Sequence, residues 1–306
     1  MTDKIETVLI IGGGGFMGFY LKNEFPSKDY KVITADIKGA DVEMDITNYN
    51  QVKSVLKKFR PDIISNLSGI SFLPDNQRNP KLAYEVNAFG PFKLLKAVWE
   101  IGIDPFIQLI SSNEVYGKNC FFPSEKRTRL NPISDYGKSK LLMEKFAKDF
   151  QRGLGLKIVI VRPFTHSGPG QNEKFIIPNF CKQVIEIKKG IRKPVLFHGD
   201  LSTERDITHV QDMAEAYRRL IEMRKIGIFN IGSGKKWSGF EILEMIRKCS
   251  GVEFTDKIDP ERKRPSDIKC TLCNKVPFEK LTGWKPYYNL KDIIDGCLYH
   301  AENLKN

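Results

Sequence analysis

The sequence predicts an α/β protein built on a doubly wound parallel sheet, followed by a smaller C-terminal domain. Apolar, strand-like segments alternate with helical patterns through the first half of the 306 residues. A glycine-rich turn directly follows the first of these strands, and the alternation ends after Arg162, where prolines cluster. Strand–helix alternation of this kind builds a parallel sheet with helices on both faces, because its crossovers are right-handed.

The elements of the first half follow from their apolar patterns. Strands are predicted at residues 7–11, 32–35, 62–66, 106–111 and 157–162. Helices are predicted from the glycine turn through residue 25 and at residues 48–59, about 80–100 and 136–152. Each strand is short and rich in branched apolar residues, and each helix has its apolar residues three to four apart.

Beyond Arg162 the elements are mixed. Helices are predicted near residues 179–189, 209–224, 238–250 and 290–304, with strands near 195–198 and 228–231. We expect residues 208–231 to return to the main sheet. This predicts one domain of residues 1–165 plus about 205–235, and a smaller substrate-binding domain of residues 166–204 and 236–306.

Composition excludes several classes of protein. With 41% hydrophobic and 28% charged residues, the chain is typical of globular proteins. It has no basic-then-apolar leader and no run approaching the roughly 18 apolar residues of a spanning helix, so we expect a cytoplasmic protein without membrane contact. The excess of 49 Lys and Arg over 37 Asp and Glu is scattered along the chain, which predicts a solvated surface with a few phosphate-binding arginines and no nucleic-acid partner.

The cysteine and histidine pattern predicts reduced thiols and no metal site. Cys270 and Cys273 form the one Cys-x-x-Cys among six cysteines, and no second pair or histidines at ligand spacing lie near them. A redox-active pair is the alternative. None of the four histidines has metal-ligand spacing, and His209, at a predicted helix start, is expected to be a structural hydrogen-bonding group.

The glycine turn predicts a dinucleotide site. Gly12, Gly15 and Gly18 lie between a strand and a helix, where unpaired N–H groups and the positive helix end favour phosphates. Asp36 ends the second strand 18 residues after Gly18, close to the spacing of about 20 that is usual for the carboxylate that binds the adenosine ribose. A carboxylate there repels a 2′-phosphate, so NAD is predicted over NADP. Asp45 is expected to flank the adenine, although a plain loop carboxylate explains it nearly as well.

Three Tyr-x-x-x-Lys pairs occur, and their positions distinguish them. Tyr136 and Lys140 lie on one face of the helix that follows the fifth strand, and that strand ends at Ser111 and Ser112, on the edge where doubly wound sheets bind ligands. The other two pairs, Tyr49/Lys53 and Tyr287/Lys291, lie in an early crossover helix and in the tail. Only the first pair is predicted to be catalytic; the alternative is a packing tyrosine beside a surface lysine.

The chemistry of hydride transfer explains why Tyr136, Lys140 and Ser112 would act together. A hydride that moves to or from a carbinol carbon must be matched by a proton on its oxygen. A phenol of pKa about 10 needs roughly 4 kcal/mol of phenolate stabilisation to act near pH 7, which an ammonium and a nicotinamide cation can supply. Tyr136 would move the proton, Lys140 would tune its pKa, and Ser112 would hold the substrate oxygen.

The chain resembles extended short-chain dehydrogenases/reductases of the sugar-nucleotide epimerase/dehydratase superfamily over essentially its whole length. The segments that carry the resemblance are residues 12–18, 112–117 and 136–140 in the first half, and residues 162–171, 205–210, 264–267 and 281–286 in the second. The second group resembles the GDP-linked branch, above all GDP-6-deoxy-4-keto-mannose reductases.

This resemblance implies roles for individual residues. NAD would contact Gly12, Gly15, Phe16, Met17, Gly18, Asp36, Asp45, Ile46, Leu67, Ser68, Gly69, Tyr136, Lys140 and Pro163 in a Rossmann domain. The sugar nucleotide would contact Asn113, Thr165, Asn179, Arg205, Arg264 and Asp267. By analogy Arg205 and Arg264 would hold the diphosphate, and Asp267 a ribose hydroxyl; for each arginine a surface ion pair is the alternative.

Departures from the family pattern keep other reactions open. Ile11, Ser68-Gly69 and Thr165 replace the usual Thr, Ala-Ala and Asn. Glu114 matches the catalytic glutamate of 4,6-dehydratases, but the acid that usually precedes it in the dTDP-glucose enzymes is Asn113, and the long N-terminal arm of GDP-mannose dehydratases is missing.

The prediction is therefore an oxidoreductase acting at C4 of a GDP-linked sugar, as a 4-keto reductase or 4-dehydrogenase in nucleotide-sugar or polysaccharide biosynthesis. A 4,6-dehydratase, a 4-epimerase and a non-catalytic NAD sensor or scaffold are the alternatives. The resemblance also implies a homodimer through the helices near 80–100 and 136–152. Leu94, Val98, Leu141 and Leu142 permit this pairing but could equally face their own sheet.

Overall fold

A seven-stranded parallel sheet organises the computed structural model, which describes residues 5–262 and 268–304. In chain order the strands of this part of the chain are β1 (Glu6–Ile11), β2 (Tyr30–Asp36), β3 (Val42–Glu43), β4 (Ile63–Asn66), β5 (Phe106–Ile110), β6 (Lys157–Pro163), β7 (Thr165–Ser167), β8 (Val195–His198), β9 (Glu204–His209), β10 (Gly227–Ile231), β11 (Lys236–Ser238) and β12 (Thr255–Ile258). The main sheet has the order β3-β2-β1-β4-β5-β6-β10, with every pair parallel. The predicted doubly wound sheet is confirmed, including the return of β10 to its edge.

Helices cover both faces of this sheet. The α-helices of the described residues are α1 (Phe16–Asn23), α2 (Tyr49–Phe59), α3 (Leu73–Arg78), α4 (Pro80–Tyr84), α5 (Gly90–Ile101), α6 (Asp135–Leu154), α7 (Ile176–Lys188), α8 (Val210–Glu222), α9 (Gly239–Ser250), α10 (Val276–Thr282) and α11 (Leu290–Asn303). Apolar residues of α2, α5 and α6 form a core on one face, and those of α1, α8 and α10 form a core on the other. The single helix predicted at about 80–100 is instead α4, a π-helical turn (Glu85–Phe89) and α5 in succession.

Side-chain caps fix where several helices begin. The Asn48 side chain accepts hydrogen bonds from two backbone N–H groups of the first turn of α2, and Ser134 accepts one from the first turn of α6. Ser238 and Asn289 form reciprocal capping boxes at the starts of α9 and α11. Because such caps satisfy donors that the helix leaves open, they set the start of each helix to within a residue.

The second half adds two small sheets and a third apolar core. β11 pairs antiparallel with β9, β9 pairs parallel with β7, and β12 pairs parallel with β8. Apolar residues of α7, α9 and α11 pack together beside them. The sequence did not predict β9, because its Glu204–His209 segment is mostly polar. Buried Asp206 explains that polarity, since its carboxylate accepts backbone hydrogen bonds from Ser233, Gly234 and Cys273.

The tail motif at residues 281–286 attaches the C-terminal segment to α8. The Trp284 side chain is fully buried, and its indole N–H donates to the Asp212 carbonyl at 3.0 Å. The Asp212 carboxylate in turn accepts the backbone N–H groups of Tyr287 and Tyr288, each at 3.1 Å. The motif is therefore structural, and it closes the chain over one end of α8.

His209 forms the N-cap of α8, as expected of a structural histidine. Its Nδ1 accepts the Gln211 backbone N–H at 3.0 Å, and its ring lies 4.3 Å from the Tyr288 ring, centroid to centroid. Burial lowers the pKa of His209 to about 4. The folded protein therefore holds this ring neutral at pH values where an unfolded chain binds a proton.

The resulting prediction concerns stability in acid. Between pH 7 and pH 5 the unfolded His209 gains a proton while the folded one does not, so the free energy of unfolding falls as the pH falls. We expect this residue to contribute a loss of about 2 kcal/mol over that range. Urea unfolding at both pH values should show the extra loss in the wild type and not in His209→Asn, which keeps a capping acceptor. An equal loss in both proteins would contradict the assignment.

Candidate active site

The candidate site lies along the carboxyl edge of the central strands. The glycine turn follows β1, Ser68 and Gly69 follow β4, Ser112 follows β5, and Pro163 ends β6. The strand order reverses between β1 and β4, and crevices of doubly wound sheets open at this point on this edge. The fold thus brings four sequence-predicted segments to one edge of the sheet.

The first glycines of the turn are required mainly by contacts within the protein. A Cβ on Gly12, whose φ is +80°, would lie 2.7 Å from the Ser68 backbone nitrogen. A Cβ on Gly14 would lie 2.2 Å from the Lys38 carbonyl oxygen. The backbone of the chain itself therefore already excludes side chains at these two glycines.

Gly15 is the glycine with an open side. It is the N-cap of α1, which carries no side-chain cap, and the nearest atom to a Cβ placed there is the Gly12 carbonyl oxygen at 3.3 Å. The first N–H groups of α1 can therefore bind an external acceptor, and the helix dipole favours a negative one. Next to it the Phe16 ring lies parallel to the His166 ring, with 6.3 Å between the ring centroids. The Met17 side chain packs against the core.

The acidic residues near the end of β2 differ in their surroundings. The two carboxylate oxygens of Asp36 accept the backbone N–H groups of Gly14, at 3.1 Å, and Ile37, at 2.7 Å. Each of these oxygens keeps a further lone pair, and Asp36 is only partly buried. Asp45 uses Oδ1 for the backbone and hydroxyl of Thr47. The side chain of Ile46 lies in the core.

Helix α6 brings Tyr136 and Lys140 together at this edge. The Lys140 ammonium lies 6.0 Å from the centre of the Tyr136 ring and donates to the Ile110 carbonyl at the end of β5, at 2.8 Å. Burial lowers the pKa of Lys140 to about 8. Burial also raises the pKa of Tyr136 to about 12, while a hydrogen bond with Ser112 acts in the opposite direction. The three residues predicted to act together are adjacent.

The other two Tyr-x-x-x-Lys pairs lie elsewhere, as their positions predicted. Tyr49 and Lys53 both bind Glu100, which joins α2 to α5 at the surface. The Tyr287 side chain is 84% exposed, and Lys291 pairs with Asp295. Neither pair reaches the carboxyl edge of β5.

Asn87 belongs to the site but was not predicted from the sequence. It sits in the π-helical turn between α4 and α5 and is fully buried. Its amide accepts the Ile70 N–H at 2.8 Å and donates to the Ser139 hydroxyl at 3.2 Å, so it joins the loop after β4 to α6. π-Turns of this kind are common at functional sites. An asparagine within an otherwise apolar helical pattern was the available signal.

Gly69 lies directly against the same groups. A Cβ added to it would come within 3.0 Å of the Asn87 amide oxygen and 3.1 Å of the Lys140 ammonium nitrogen. The departure from the Ala-Ala pattern thus gives these two side chains room. Of its neighbours, Ser68 bonds to Asn66 and Leu67 is partly buried against the core.

Glu114 lies close enough to both Tyr136 and Arg205 to interact with them electrostatically. Its carboxylate accepts the Ser134 hydroxyl at 3.2 Å. Burial raises the pKa of Glu114, whereas the Ser134 hydrogen bond and the Arg205 charge act to lower it. Arg205, on β9, donates to the Glu204 carbonyl, and burial lowers the pKa of its guanidinium. Asn113 points inward, with its amide 3.7 Å from the Cys120 sulfur.

Two of the remaining predicted substrate residues, Thr165 and Asn179, lie in the described part of the chain. Thr165 is exposed on β7. Asn179, in α7, already accepts hydrogen bonds from Gln183 and Arg262 through its amide oxygen. Arg264 and Asp267 fall at positions 263–267, outside the described residues. Pro163 is buried where β6 ends.

All six cysteines are free thiols, and burial raises the pKa of both Cys270 and Cys273. Within residues 5–262 and 268–304, no group of three or more His, Cys, Asp or Glu side chains could hold a metal ion. No helix in the same part of the chain has the length and apolarity needed to cross a bilayer.

A doubly wound sheet with a glycine turn after β1, and with Ser112, Tyr136 and Lys140 adjacent at its edge, defines the class of extended short-chain dehydrogenases/reductases. A sequence model of the family described as GDP-mannose 4,6 dehydratase matches residues 9–297. The chain belongs to this family of sugar-nucleotide enzymes, which confirms the resemblance seen in the sequence.

Relatives of known name carry out different reactions. GDP-6-deoxy-D-mannose reductase from Pseudomonas aeruginosa is 30% identical over 246 residues, covering 79% of this chain and 81% of its own. GDP-6-deoxy-D-talose 4-dehydrogenase from Aggregatibacter actinomycetemcomitans is 30% identical over 267 residues, covering 85% of this chain and 86% of its own. The structure of RMD from P. aeruginosa complexed with NADPH is 25% identical, covers 97% of this chain and 99% of its own, and has a TM-score of 0.87.

Proposed function

We propose that this protein is a nicotinamide-dependent oxidoreductase acting at C4 of a GDP-linked sugar, either reducing a 4-keto group or oxidising a C4 hydroxyl. The observation that carries the proposal is the adjacency of Ser112, Tyr136 and Lys140 at the carboxyl edge of β5. The names of the reductase and 4-dehydrogenase relatives support the GDP-linked sugar and the C4 position.

The residues of the cleft fit a nicotinamide dinucleotide. The uncapped start of α1 at Gly15 suits its pyrophosphate, and the free lone pairs of Asp36 suit the hydroxyls of an adenosine ribose. When bound, the nicotinamide ring supplies the hydride acceptor or donor. We favour NAD because the Asp36 carboxylate would repel a 2′-phosphate, although the RMD relative is complexed with NADPH.

Within this site, Tyr136 would move the proton of the C4 oxygen. Its pKa of about 12 in the buried site must fall for it to act near neutral pH, and the Lys140 ammonium beside it favours the phenolate. With a pKa of about 8, Lys140 keeps its proton at pH 7. One of its three N–H groups binds Ile110, which leaves two for a nicotinamide ribose. Ser112 would donate to the C4 oxygen.

The sugar-nucleotide end of the proposal rests on arginines. We propose that Arg205 and Arg264 bind the diphosphate and that Asp267 binds a ribose hydroxyl, with Thr165 and Asn179 on the walls of the cleft. Guanidinium forks match phosphate oxygens, and Arg205 faces the site beside Glu114. We also propose that residues 166–204 and 236–306 form a separate substrate domain, supported by the apolar core of α7, α9 and α11, and that the enzyme is cytoplasmic.

A second candidate reaction is 4,6-dehydration. Glu114 favours it, because a carboxyl whose pKa burial raises lies close to Tyr136 and could exchange a proton with the sugar. The family description and the dehydratase-like position of Glu114 support this candidate. The reductase and dehydrogenase names of the relatives favour the first proposal.

A homodimer through α5 and α6 is the proposed assembly, without two of the four apolar residues considered in the sequence. Leu94 and Val98 are fully buried in the core of their own subunit, so they do not face a partner. A stripe of aromatic side chains on the π-helical turn, α5 and α6 is available instead, and four of its members are in ring contact at centroid distances of 5.0 to 5.9 Å. Its members are Phe89, Phe92, Trp99, Phe146 and Phe150.

Replacing one exposed member of this stripe tests the dimer. We expect light scattering to give twice the chain mass for the wild type and a lower mass at the same concentration for Trp99→Glu. Trp99 is 52% exposed in the single chain, so a charge placed there would be buried at the interface. Tyr299→Glu, an exposed aromatic on α11, is the matched control and should stay dimeric. A monomeric wild type would refute the proposal.

The reaction is tested by incubation with GDP-linked sugars and either NAD(H) or NADP(H), following absorbance at 340 nm and product mass. We expect a two-hydrogen mass change that depends on the cofactor and is faster with NAD(H). Tyr136→Phe should lower kcat by about 10²–10⁴-fold because the proton donor is lost. Tyr49→Phe removes the hydroxyl from the surface pair of identical spacing and should retain full activity.

Other products would replace this proposal with a named alternative. Loss of one water from the substrate would indicate the dehydratase, and a C4-inverted product of unchanged mass would indicate an epimerase. Dinucleotide binding without turnover of any sugar would indicate a sensor or scaffold protein. Full activity of Tyr136→Phe would remove the catalytic assignment under every reaction.

A further inference from the structure

A buried ion pair lies behind the catalytic edge. Glu144, on α6, and Arg162, on β6, are both essentially inaccessible to solvent. The carboxylate of Glu144 accepts Nε of Arg162 at 2.8 Å on one oxygen and Nη2 at 2.6 Å on the other. The hydroxyl of Ser111 donates to the first oxygen at 2.6 Å. This two-pronged geometry fixes both the distance and the angle between α6 and the sheet.

The other end of the guanidinium continues the network. Nη1 of Arg162 donates to the Tyr116 hydroxyl at 2.8 Å, and that hydroxyl donates to the Asn230 side chain on β10 at 2.8 Å. The guanidinium carbon also lies 4.9 Å from the centre of the Tyr116 ring. One arginine thereby connects α6, the 3₁₀ turn Asn113–Asn119 and two neighbouring strands.

Stability alone does not explain a charged pair at this place. Removing two full charges from water costs free energy that their attraction repays only in part, and apolar side chains of similar size are often as stable. What such a pair supplies is a defined geometry, because its partners cannot slide past each other without breaking directional hydrogen bonds.

The positions of the network residues match the segments that carry the proposed chemistry. Glu144 is one turn beyond Lys140 on the same helix, and Ser111 immediately precedes Ser112. Arg162 immediately precedes Pro163, at the end of β6. A change in the ion pair would therefore displace the phenol, the ammonium and the serine relative to one another.

We infer that Glu144 and Arg162 are positioning residues, which hold α6 in the register that brings Tyr136 and Lys140 against Ser112. This inference rests on the proposed function for its catalytic readout. Neither residue lines the cleft, since both are buried between α6 and the sheet, so they act through the groups that they hold.

Glu144→Gln tests this inference in the full-length protein, because it keeps the size of the side chain and removes its charge. We expect kcat to fall at least 30-fold while KM for the dinucleotide changes less than threefold. The acidic limb of the pH profile for sugar oxidation should move at least one pH unit upward, since a displaced ammonium lowers the phenol pKa less. Backbone amides of residues 136–144 should exchange hydrogen at least tenfold faster.

Gln108→Leu is the matched control. Gln108 is equally buried on β5, and its side chain binds Ser65 and the Tyr217 carbonyl, away from α6. This variant should lower Tm but leave the pH profile and the exchange of residues 136–144 unchanged. If Glu144→Gln does not fold, Tyr116→Phe is the second variant, because it keeps the ion pair and removes its link to Asn230. We expect the same changes from it at a smaller size, with a three- to tenfold loss of kcat.

The outcomes separate the two proposals. A wild type that turns over no sugar nucleotide overturns the proposed function, and the hydrogen-exchange comparison then still decides whether the pair positions α6. The inference is overturned if the wild type is active and Glu144→Gln lowers only Tm. In that case the acidic limb of its pH profile and its exchange rates would match those of Gln108→Leu. Loss of kcat with the shifted pH limb supports it.

Discussion

The hydrogen bond from the Lys140 ammonium to the Ile110 carbonyl is the contact on which the site depends. It attaches α6 to the end of the central strand β5, and it places a buried positive charge beside the Tyr136 ring. The same strand continues into Ser111 and Ser112, one of which binds Glu144 and the other Tyr136. Helix and strand are thus joined on both sides of the proposed reaction centre.

The parts of this arrangement that the sequence could predict are those with a local cause. Strands followed by helices, the glycine turn after β1 and a carboxylate at the end of β2 each show within a short segment. Position along the chain also separated Tyr136 from Tyr49 and Tyr287, because a parallel sheet binds ligands where its strands end. For Tyr49 the structure gives a different role, on the surface with Glu100.

The parts that could not be predicted depend on contacts between distant segments. The role of Asn87 follows from a π-turn that places its amide against Ile70 and Ser139, and no local pattern specifies such a turn. The aromatic stripe was not predicted because apolar residues on α5 point to two faces: Leu94 and Val98 pack in the core beside the sheet, whereas Trp99 is exposed. Glycines 12 and 14 are required by close backbone contacts with Ser68 and Lys38, which lie in other segments of the chain.

The most direct test of this account is a crystal structure of the protein with the dinucleotide bound. We predict the pyrophosphate at the start of α1, a ribose hydroxyl in hydrogen-bonding contact with the Lys140 ammonium, and the nicotinamide ring facing the Tyr136 hydroxyl. A dinucleotide bound away from this edge, or a Tyr136 hydroxyl turned from the ring into the protein interior, would contradict it and leave only the fold established.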